Sequence, residues 1–268
     1  MIKRQALTSE CRCVLPLRLR WIQLFTATFI LVLVHSSNGA AQSPFQTNIQ
    51  FVPPPPPTIG VPQSDGRGAG SRGPSCKRYE KITPLVPFTR TATQPIRWGL
   101  TTVEHPTMWF YAPEGLAANM SLEFVLQDEA GQNRSRTVVQ TSNVPAGIFR
   151  LAFPATAAPL QAGKRYSWAL SIYCDSDAID IPIRVQGSIQ RVVSSSGLQR
   201  QLDATHNPLE QAKLYAKKGI WYDALTAVGE HLRQGKDTET VTVWKALLQQ
   251  AGLTGIATST IVPCCTVD

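Results

Sequence analysis

Between about residue 78 and residue 195 the chain alternates apolar and polar positions in short segments that turn residues divide. The clearest segment is 165–174, in which every second residue from Tyr166 to Cys174 is aromatic, aliphatic or cysteine. Period-two alternation places these side chains on one face of a β-strand. Short strands at this spacing indicate an antiparallel all-β domain over 78–195. Further strands are predicted at 99–103, 107–111, 122–126, 137–141, 147–153 and 181–193.

One spacing narrows the topology of this domain. Leu160, Gly163 and Tyr166 follow a Leu-x-x-Gly-x-x-Tyr pattern, which resembles the tyrosine corner of immunoglobulin-like and fibronectin type III sandwiches. In that corner the tyrosine hydroxyl bonds to backbone upstream of its strand. We therefore predict a β-sandwich of this kind, with a partly open barrel as the alternative.

Beyond the all-β region the apolar spacing changes to a helical period. Asn207 is suited to cap a helix that has proline in its first turn, and Glu210 can reach back to that cap. This helix should end at Gly219, because glycine tolerates the left-handed backbone of a helix end. A second helix is predicted from residue 220, and a third over 241–251.

The first two helices resemble one degenerate tetratricopeptide hairpin. The resemblance lies in Tyr215 and Gly219 together with the small residues Ala216 and Ala224. One such repeat cannot bury its own apolar face, so it must dock on the third helix, the sandwich or a partner. The predicted fold class is therefore segregated α+β: an antiparallel β-sandwich, then a helical subdomain over 196–253 with a tetratricopeptide-like hairpin and one more helix.

Residues 1–41 have the features of a secretory signal. Basic residues precede an apolar run at 21–34, and small residues follow as far as Ala41. A run of about fourteen residues is shorter than the roughly twenty that span a bilayer. We expect cleavage and an exported chain, periplasmic or extracellular, with no stable membrane span afterwards. An uncleaved anchor is the alternative.

Residues 42–77 are predicted to be a linker that ends in Cys76. Five consecutive prolines at 53–57 favour an extended segment. The stretch 68–73, GAGSRG, has the GxGxxG spacing of a dinucleotide site, but such a site needs a strand before it and a helix after it. Pro74 and polar neighbours supply neither, so we expect no cofactor.

The charge of the chain argues against nucleic-acid binding. The full sequence has 26 Lys and Arg against 18 Asp and Glu, a net charge of +8. Without residues 1–41 the counts become 21 and 17, a net charge of about +4. The remaining cations are scattered and lack the clustering with aromatics that a nucleic-acid surface shows. We therefore expect no nucleic-acid partner.

Two of the six cysteines leave with the predicted signal. In an oxidising compartment the others are expected to pair, and Cys76 with Cys174 is the preferred bridge. Cys264 and Cys265 lie in a predicted flexible tail, 254–268, where they can pair between chains or remain unpaired. A zinc site is the competing use of four cysteines, but no CxxC or paired histidine supports a metal.

Two aromatic segments are candidates for a binding surface, since Trp and Tyr line carbohydrate sites. Their residues are Trp109 and Tyr111 in one segment and Trp221, Tyr222 and Asp223 in the other. Burial is the competing interpretation, because neighbouring residues of a strand face opposite sides and at least one pair should enter the core. For Trp221 the favoured interpretation is that it packs the hairpin against the sandwich.

Several segments together resemble one known family. They are 68–73 with Cys76, the segment 104–111, the pattern around Tyr166, and Ala-x-Leu-Tyr-Ala-x-x-Gly-Ile-Trp-Tyr-Asp-Ala-Leu at 212–225. The chain is similar in these to the bacterial, chiefly cyanobacterial, domain-of-unknown-function family 928 over residues 66 to about 253. The resemblance implies a secreted setting and no established activity.

The function predicted from these features is a non-catalytic binding or scaffold module for protein or polysaccharide of the cell envelope. Nucleophile elbow, zincin and CxxC motifs are missing from the sequence, so we predict no catalytic, cofactor or metal residues. The alternative is a glycan-acting hydrolase that uses the carboxylates of Glu104, Asp175 or Asp177. Three histidines remain after cleavage: His105, His206 and His231. His206 and His231 are expected to be solvated, whereas His105 lies beside Glu104, and such a pair can transfer protons.

Overall fold

A computed structural model describes residues 49–57, 76–90, 95–174, 182–235 and 237–265. The predicted signal at 1–41, the GAGSRG stretch at 68–73, and Asp175 and Asp177 lie outside these residues. Within them nine β-strands precede four α-helices. The predicted segregated α+β class is confirmed.

The described strands form two sheets, one of three strands in the order β1-β4-β7 and one of six in the order β2-β3-β9-β8-β5-β6. The strands predicted from alternation are confirmed, although β3 and β6 each begin four residues earlier than predicted and the two short strands β1 and β2 were not predicted. Their bounds are β1 Thr83–Pro84, β2 Phe88–Arg90, β3 Pro95–Thr101, β4 Thr107–Ala112, β5 Ser121–Gln127, β6 Asn133–Gln140, β7 Gly147–Ala152, β8 Arg165–Tyr173 and β9 Ile183–Arg191.

The expectation of purely antiparallel sheets is wrong at one pair of strands. β3 runs parallel to β9, with Trp98 opposite Ser188 and Thr101 opposite Arg191. The chain leaves β3 for β4 in the other sheet, so no tight hairpin dictates the direction of β3 beside its neighbour. The other pairs between described strands are antiparallel.

The two sheets pack against each other through aromatic side chains. Phe110 of β4 meets Trp168 of β8 edge-on with ring centroids 6.0 Å apart. It also stacks on Phe149 of β7 at 5.6 Å, and Trp168 stacks on Phe124 of β5 at 6.2 Å. All of these except Phe124 are at most 1 % exposed. The alternating apolar face of β8 is therefore the centre of the core.

The hydroxyl of Tyr166 forms the bond that the Leu160 to Tyr166 spacing predicts. It accepts a hydrogen bond of 2.9 Å from the backbone N–H of Gln161, upstream in the chain. Leu160 is buried at 1 % exposure. The loop before β8 is thus bonded to Tyr166, the second residue of that strand.

The caps predicted for Asn207 and Gly219 are confirmed, but the prediction that Glu210 reaches back to the cap is wrong. Glu210 accepts from Lys213 at 2.7 Å, and the N–H of Asn207 donates to Thr205 instead. One further helix was not predicted. Asn207 accepts from the N–H groups of Leu209 and Glu210, and Gly219 has a φ of +72° after the helix end. The extra helix, α1, begins after Ser195, whose side chain accepts from Leu198 N–H. The bounds are α1 Ser196–Asp203, α2 Pro208–Lys217, α3 Trp221–Gln234 and α4 Thr238–Gln250. Among the described helices, none has the length and apolar character needed to cross a membrane.

The helices α3 and α4 cover the outer face of the three-stranded sheet. Trp109 of β4 points away from the sheet interface and donates to the hydroxyl of Thr226 at 3.2 Å. Its ring meets Trp244 of α4 edge-on at 5.8 Å, and Gly229 of α3 leaves room for the indole. The small sheet therefore has the large sheet on one face and helices on the other.

Two segments predicted to lie outside the domains pack onto this fold. Phe51, in the predicted linker, meets Trp221 edge-on at 4.9 Å, and its N–H donates to Gln250 at 2.8 Å. In the predicted flexible tail, Ile148 of β7 donates to Thr260 and accepts from Val262, both at 2.8 Å. Residues 49–52 and 254–262 thus belong to the fold, because buried apolar side chains and paired backbone groups hold them there.

Candidate functional site

Cys76 and Cys174 are bonded to each other in the structure. Their Cα atoms are 5.4 Å apart, within the range that a disulfide requires. Cys76 is completely buried and precedes a short 3₁₀ turn, Lys77–Tyr79. The bridge ties the segment before β1 to the residue that follows β8. Cys264 and Cys265 are joined to each other beside the groove described below.

The candidate binding residues of β4 do not form an accessible surface. Trp109 is 2 % exposed beneath α3 and α4, while Tyr111 is half-buried and packs on the same core. Their neighbour Phe110 is buried between the sheets. Because protein covers both faces of this strand, the prediction that Trp109 and Tyr111 bind a ligand is wrong for Trp109 and loses its main support for Tyr111.

Trp221 and Tyr222 of α3 are also interior residues, at 0 % and 2 % exposure. The indole N–H of Trp221 donates to the carbonyl of Leu85 at 2.8 Å. The hydroxyl of Tyr222 donates to the carbonyl of Ser188 at 3.1 Å and accepts from the indole of Trp168 at 3.0 Å. Burial raises the pKa of Tyr222, so this phenol stays neutral and serves as a fixed hydrogen-bonding group.

Asp223 completes this interface with a buried carboxylate. One carboxylate oxygen accepts from the hydroxyl of Thr101, and the other accepts from the hydroxyl and the N–H of Thr102, the latter at 2.9 Å. Burial raises the pKa of Asp223 while these three donors oppose the shift. Burial and the nearby Asp223 also raise the pKa of Tyr215.

Trp221, Tyr222 and Asp223 therefore attach α3 to the sheets, and the prediction that they form a binding surface is wrong. Their polar groups reach Leu85, Ser188 and Thr101 across sequence separations of more than thirty residues. The alternative raised from the sequence, a packing role for Trp221, holds to the extent that this residue packs α3 against the sheets. We refer to Trp221, Tyr222 and Asp223 with their partners on the sheets as the helix–sheet interface.

The residues suggested for a hydrolase are not gathered into a catalytic arrangement within the described chain. Glu104 forms an ion pair of 3.1 Å with Arg191, and Arg191 also donates to the carbonyls of Leu160 and Thr102. The Nε2 of His105 is 3.0 Å from the carbonyl oxygen of Ala157. The other two carboxylates proposed from the sequence lie outside the described residues. Within those residues, Cys, His and carboxylate groups form no cluster that could hold a metal ion.

A different part of the molecule has a concave surface that is accessible to solvent. Two adjoining depressions of about 380 and 480 Å³ run between the edge of β7, helices α3 and α4, and residues 257–265. Their volumes fall in the range of ligand sites in proteins. They share Arg233, Val262 and Pro263 as lining. We call these two depressions the C-terminal groove.

The charged residues that line the C-terminal groove are all cations. Arg150 of β7, Arg233 of α3 and Lys245 of α4 line it, and no Asp or Glu does. Behind the lining, Glu230 pairs with Arg150 at 3.1 Å and with Arg233 at 2.7 Å. Lys245 has no ion pair with a described carboxylate. Three cations and one carboxylate leave two positive charges in excess. The side chains of both arginines are more than one-third exposed.

The sequence contains no motif for this groove, because its residues come from β7, two helices and the tail. One local signal exists: Arg150 is a cation within the apolar strand segment 147–153. The docking of the tail depends on Gly147, where a Cβ would lie 2.5 Å from the carbonyl oxygen of Thr260. That contact becomes apparent only when the two segments are placed together.

No curated protein matches this chain. The model of one family, described as Domain of Unknown Function (DUF928), matches residues 67–261. This match includes both sheets from Cys76 onward, all four helices and most of the lining of the C-terminal groove. The chain therefore belongs to the DUF928 family.

Proposed function

We propose that the protein is an exported, non-catalytic module that binds or scaffolds a protein or polysaccharide of the cell envelope, and that it does so through the C-terminal groove. The observation that carries the proposal is the groove itself: a concave surface with Arg150, Arg233 and Lys245 in its lining and no lining carboxylate. Cations that converge on a concavity favour an anionic ligand.

The use of the other polar groups supports a binding role over catalysis. Asp223 and Tyr222, two buried ionisable groups, are bonded to the sheets. Glu104 is paired with Arg191. General acid and base groups must reach a substrate, and these reach neighbouring protein instead.

Export is supported by the Cys76 to Cys174 bridge, since structural disulfides persist in oxidising compartments. The absence of a membrane-crossing helix among the described residues is compatible with it. The predicted signal at residues 1–41 would provide the targeting.

We also propose that the two sheets form an immunoglobulin-like sandwich and that α2 and α3 form a tetratricopeptide-like hairpin. The neighbours β5, β8 and β9 in the large sheet, with β4 beside β7 in the small one, correspond to the C-F-G and B-E neighbours of that fold. Tyr166 near the start of β8 stands where the tyrosine corner of strand F would be. Ala216 and Ala224 are fully buried where α2 and α3 pack.

Site-specific photo-crosslinking of the full chain tests the binding role. A benzophenone amino acid replaces Lys245 in the groove, and in a matched control it replaces Val193, which is 76 % exposed and absent from the groove lining. We expect a discrete adduct at position 245, with one protein or glycan identified by mass spectrometry, and none at position 193. Equal labelling at the two positions, or none at either, would contradict the proposal.

A further inference from the structure

The tail covers the free edge of β7 at a single residue. Ile148 donates its N–H to Thr260 and accepts at its carbonyl from Val262, both at 2.8 Å, in a parallel bridge with Ile261. Among the described residues, no backbone hydrogen bond joins the tail to β7 beyond Val262. The second depression of the groove opens between the tail and the remaining β7 edge, since Arg150, Ala152 and residues 262–265 all line it.

The backbone of Arg150 and Ala152 is directed into this opening. In an antiparallel pair, successive residues direct their N–H and C=O groups to opposite edges of the strand. Phe149 lies opposite Phe110 of β4, while Ile148 bonds outward to the tail, so Arg150 and Ala152 also bond outward. No described residue accepts from their N–H groups or donates to their carbonyls. Two donor and acceptor pairs at strand spacing are therefore available.

Positive charge lies beside these backbone groups. The Arg150 side chain and Arg233 share one carboxylate, Glu230. A single carboxylate cannot neutralise both guanidinium groups, and each has further N–H donors that can bind an acidic group. Phe153, half-buried in the same lining, adds an apolar contact.

We propose that the C-terminal groove binds an extended, acidic peptide segment of a partner protein, which adds a short strand to β7 at Arg150 and Ala152. The inference rests on the proposed binding function and names its ligand class. Strand addition uses main-chain bonds for affinity and side-chain contacts for specificity. Here an Asp or Glu of the peptide meets Arg150 and Arg233.

The backbone pattern favours a peptide over an acidic polysaccharide. A peptide strand presents N–H and C=O groups at the spacing of Arg150 and Ala152, whereas a uronic acid chain presents only carboxylates and hydroxyls. Another edge strand, β6, provides a comparison. Its Arg134 and Arg136 pair with Asp128 and Glu123 respectively, so each cation there has its own carboxylate.

The test uses random decapeptides displayed on phage, selected on the disulfide-bonded mature chain. We expect enrichment of sequences that combine Asp or Glu with β-branched residues. The best sequence, synthesised with a fluorophore, should lose affinity at least about tenfold on the double variant Arg150→Gln, Arg233→Gln, because two charge-assisted contacts are lost. Arg134→Gln with Arg136→Gln makes the same charge change on the β6 edge and should leave affinity within about twofold.

Peptide chemistry provides a second test that does not depend on the folding of any variant. Methylating alternate backbone amides of the selected peptide removes the donors along one of its edges. We expect methylation along one edge to abolish binding and methylation along the other to leave it. Equal tolerance of both patterns would overturn strand addition, as would binding that survives the arginine variant.

The remaining outcomes also decide against the peptide. If no sequence is enriched, and polygalacturonate binds with the same dependence on Arg150 and Arg233, the ligand is a polysaccharide. If the chain instead self-associates in sedimentation and the arginine variant abolishes this, a second copy occupies the groove. Either result refutes the peptide ligand while leaving a binding role, and the photo-crosslinking at position 245 tests that role separately.

Discussion

The helix–sheet interface and the C-terminal groove use polar and aromatic residues in opposite ways. The interface contains Trp221, Tyr222 and Asp223, the most suggestive run in the sequence, and all three are at most 7 % exposed. The groove is lined by two arginines from separate elements, a lysine and a tail segment. Residues typical of ligand sites therefore also suit the interface between a helix layer and a sheet layer.

Physical chemistry explains why these residues form the joint. A buried Trp or Tyr contributes a large apolar surface, and its N–H or O–H finds one partner in the opposite layer. A buried carboxylate is tolerated only with several donors, and Asp223 has three from Thr101 and Thr102. Arginines remain exposed because the cost of desolvating them is high.

Removing the two disulfides separately should produce the largest contrast. The double variant Cys76→Ala, Cys174→Ala should lower the free energy of unfolding by about 4 to 5 kcal/mol, because the bridge joins residues 98 apart in sequence. The variant Cys264→Ala, Cys265→Ala should lower it little, because a bond between neighbours closes no loop. Denaturant titrations measure both, and equal losses would contradict this division.

Trp221→Ala tests the helix–sheet interface directly. We expect a loss of about 3 to 5 kcal/mol in the free energy of unfolding, because a fully buried indole and its bond to Leu85 disappear. Val193→Ala, at a position 76 % exposed, should change it by less than about 0.5 kcal/mol. A Trp221→Ala protein of nearly unchanged stability would show that this interface does not hold the helices.

Tyr166→Phe tests the corner before β8. The variant removes the acceptor of the Gln161 N–H and should lower the free energy of unfolding by about 1 kcal/mol. Tyr79 is equally buried, but its hydroxyl makes no hydrogen bond to a described residue, so Tyr79→Phe serves as the control with a smaller expected loss. The order of the two unfolding midpoints decides the outcome.

The buried carboxylate of Asp223 predicts that the free energy of unfolding depends on pH. The pKa of Asp223 is raised in the folded state from an ordinary value of 3.8. Its stabilising contribution is therefore complete below pH 3.8 and declines as pH rises through the folded pKa. We expect the difference in unfolding free energy between wild type and Asp223→Asn to decline over that window. A difference that grows with pH would reverse the sign.

Whether an element could be predicted from the sequence depended on how far apart in the chain its interacting residues lie. The strands 107–112 and 165–173 and the capped helix after Asn207 were predictable because alternation and caps act over a few residues. Helix α1 was not predicted, since it buries only Leu198 and Leu202 and its apolar period is too short to recognise. The pairing of β3 with β9 joins residues about ninety apart, and no local pattern records it.

The candidate binding site was misplaced for the same reason. Residue type identified Trp109 and Trp221 as candidates, but their exposure depends on whether α3 and α4 dock on the small sheet. Arg150 was visible as an isolated cation, but its importance depends on Arg233 and on a tail that bonds to Ile148. A residue's chemistry is local, whereas its accessibility is a property of the packed chain.

By itself the sequence determined the segregated α+β class, the principal strands and caps, and the family, because periodicity, capping and ordered motifs are properties of neighbouring residues. Only the tertiary structure decided three further features: the parallel strand pair, the docking of residues 49–52 and 254–262, and the division between a closed interface and an open groove. Each requires segments distant in the chain to meet. Their contact depends on the burial and backbone pairing of the whole fold.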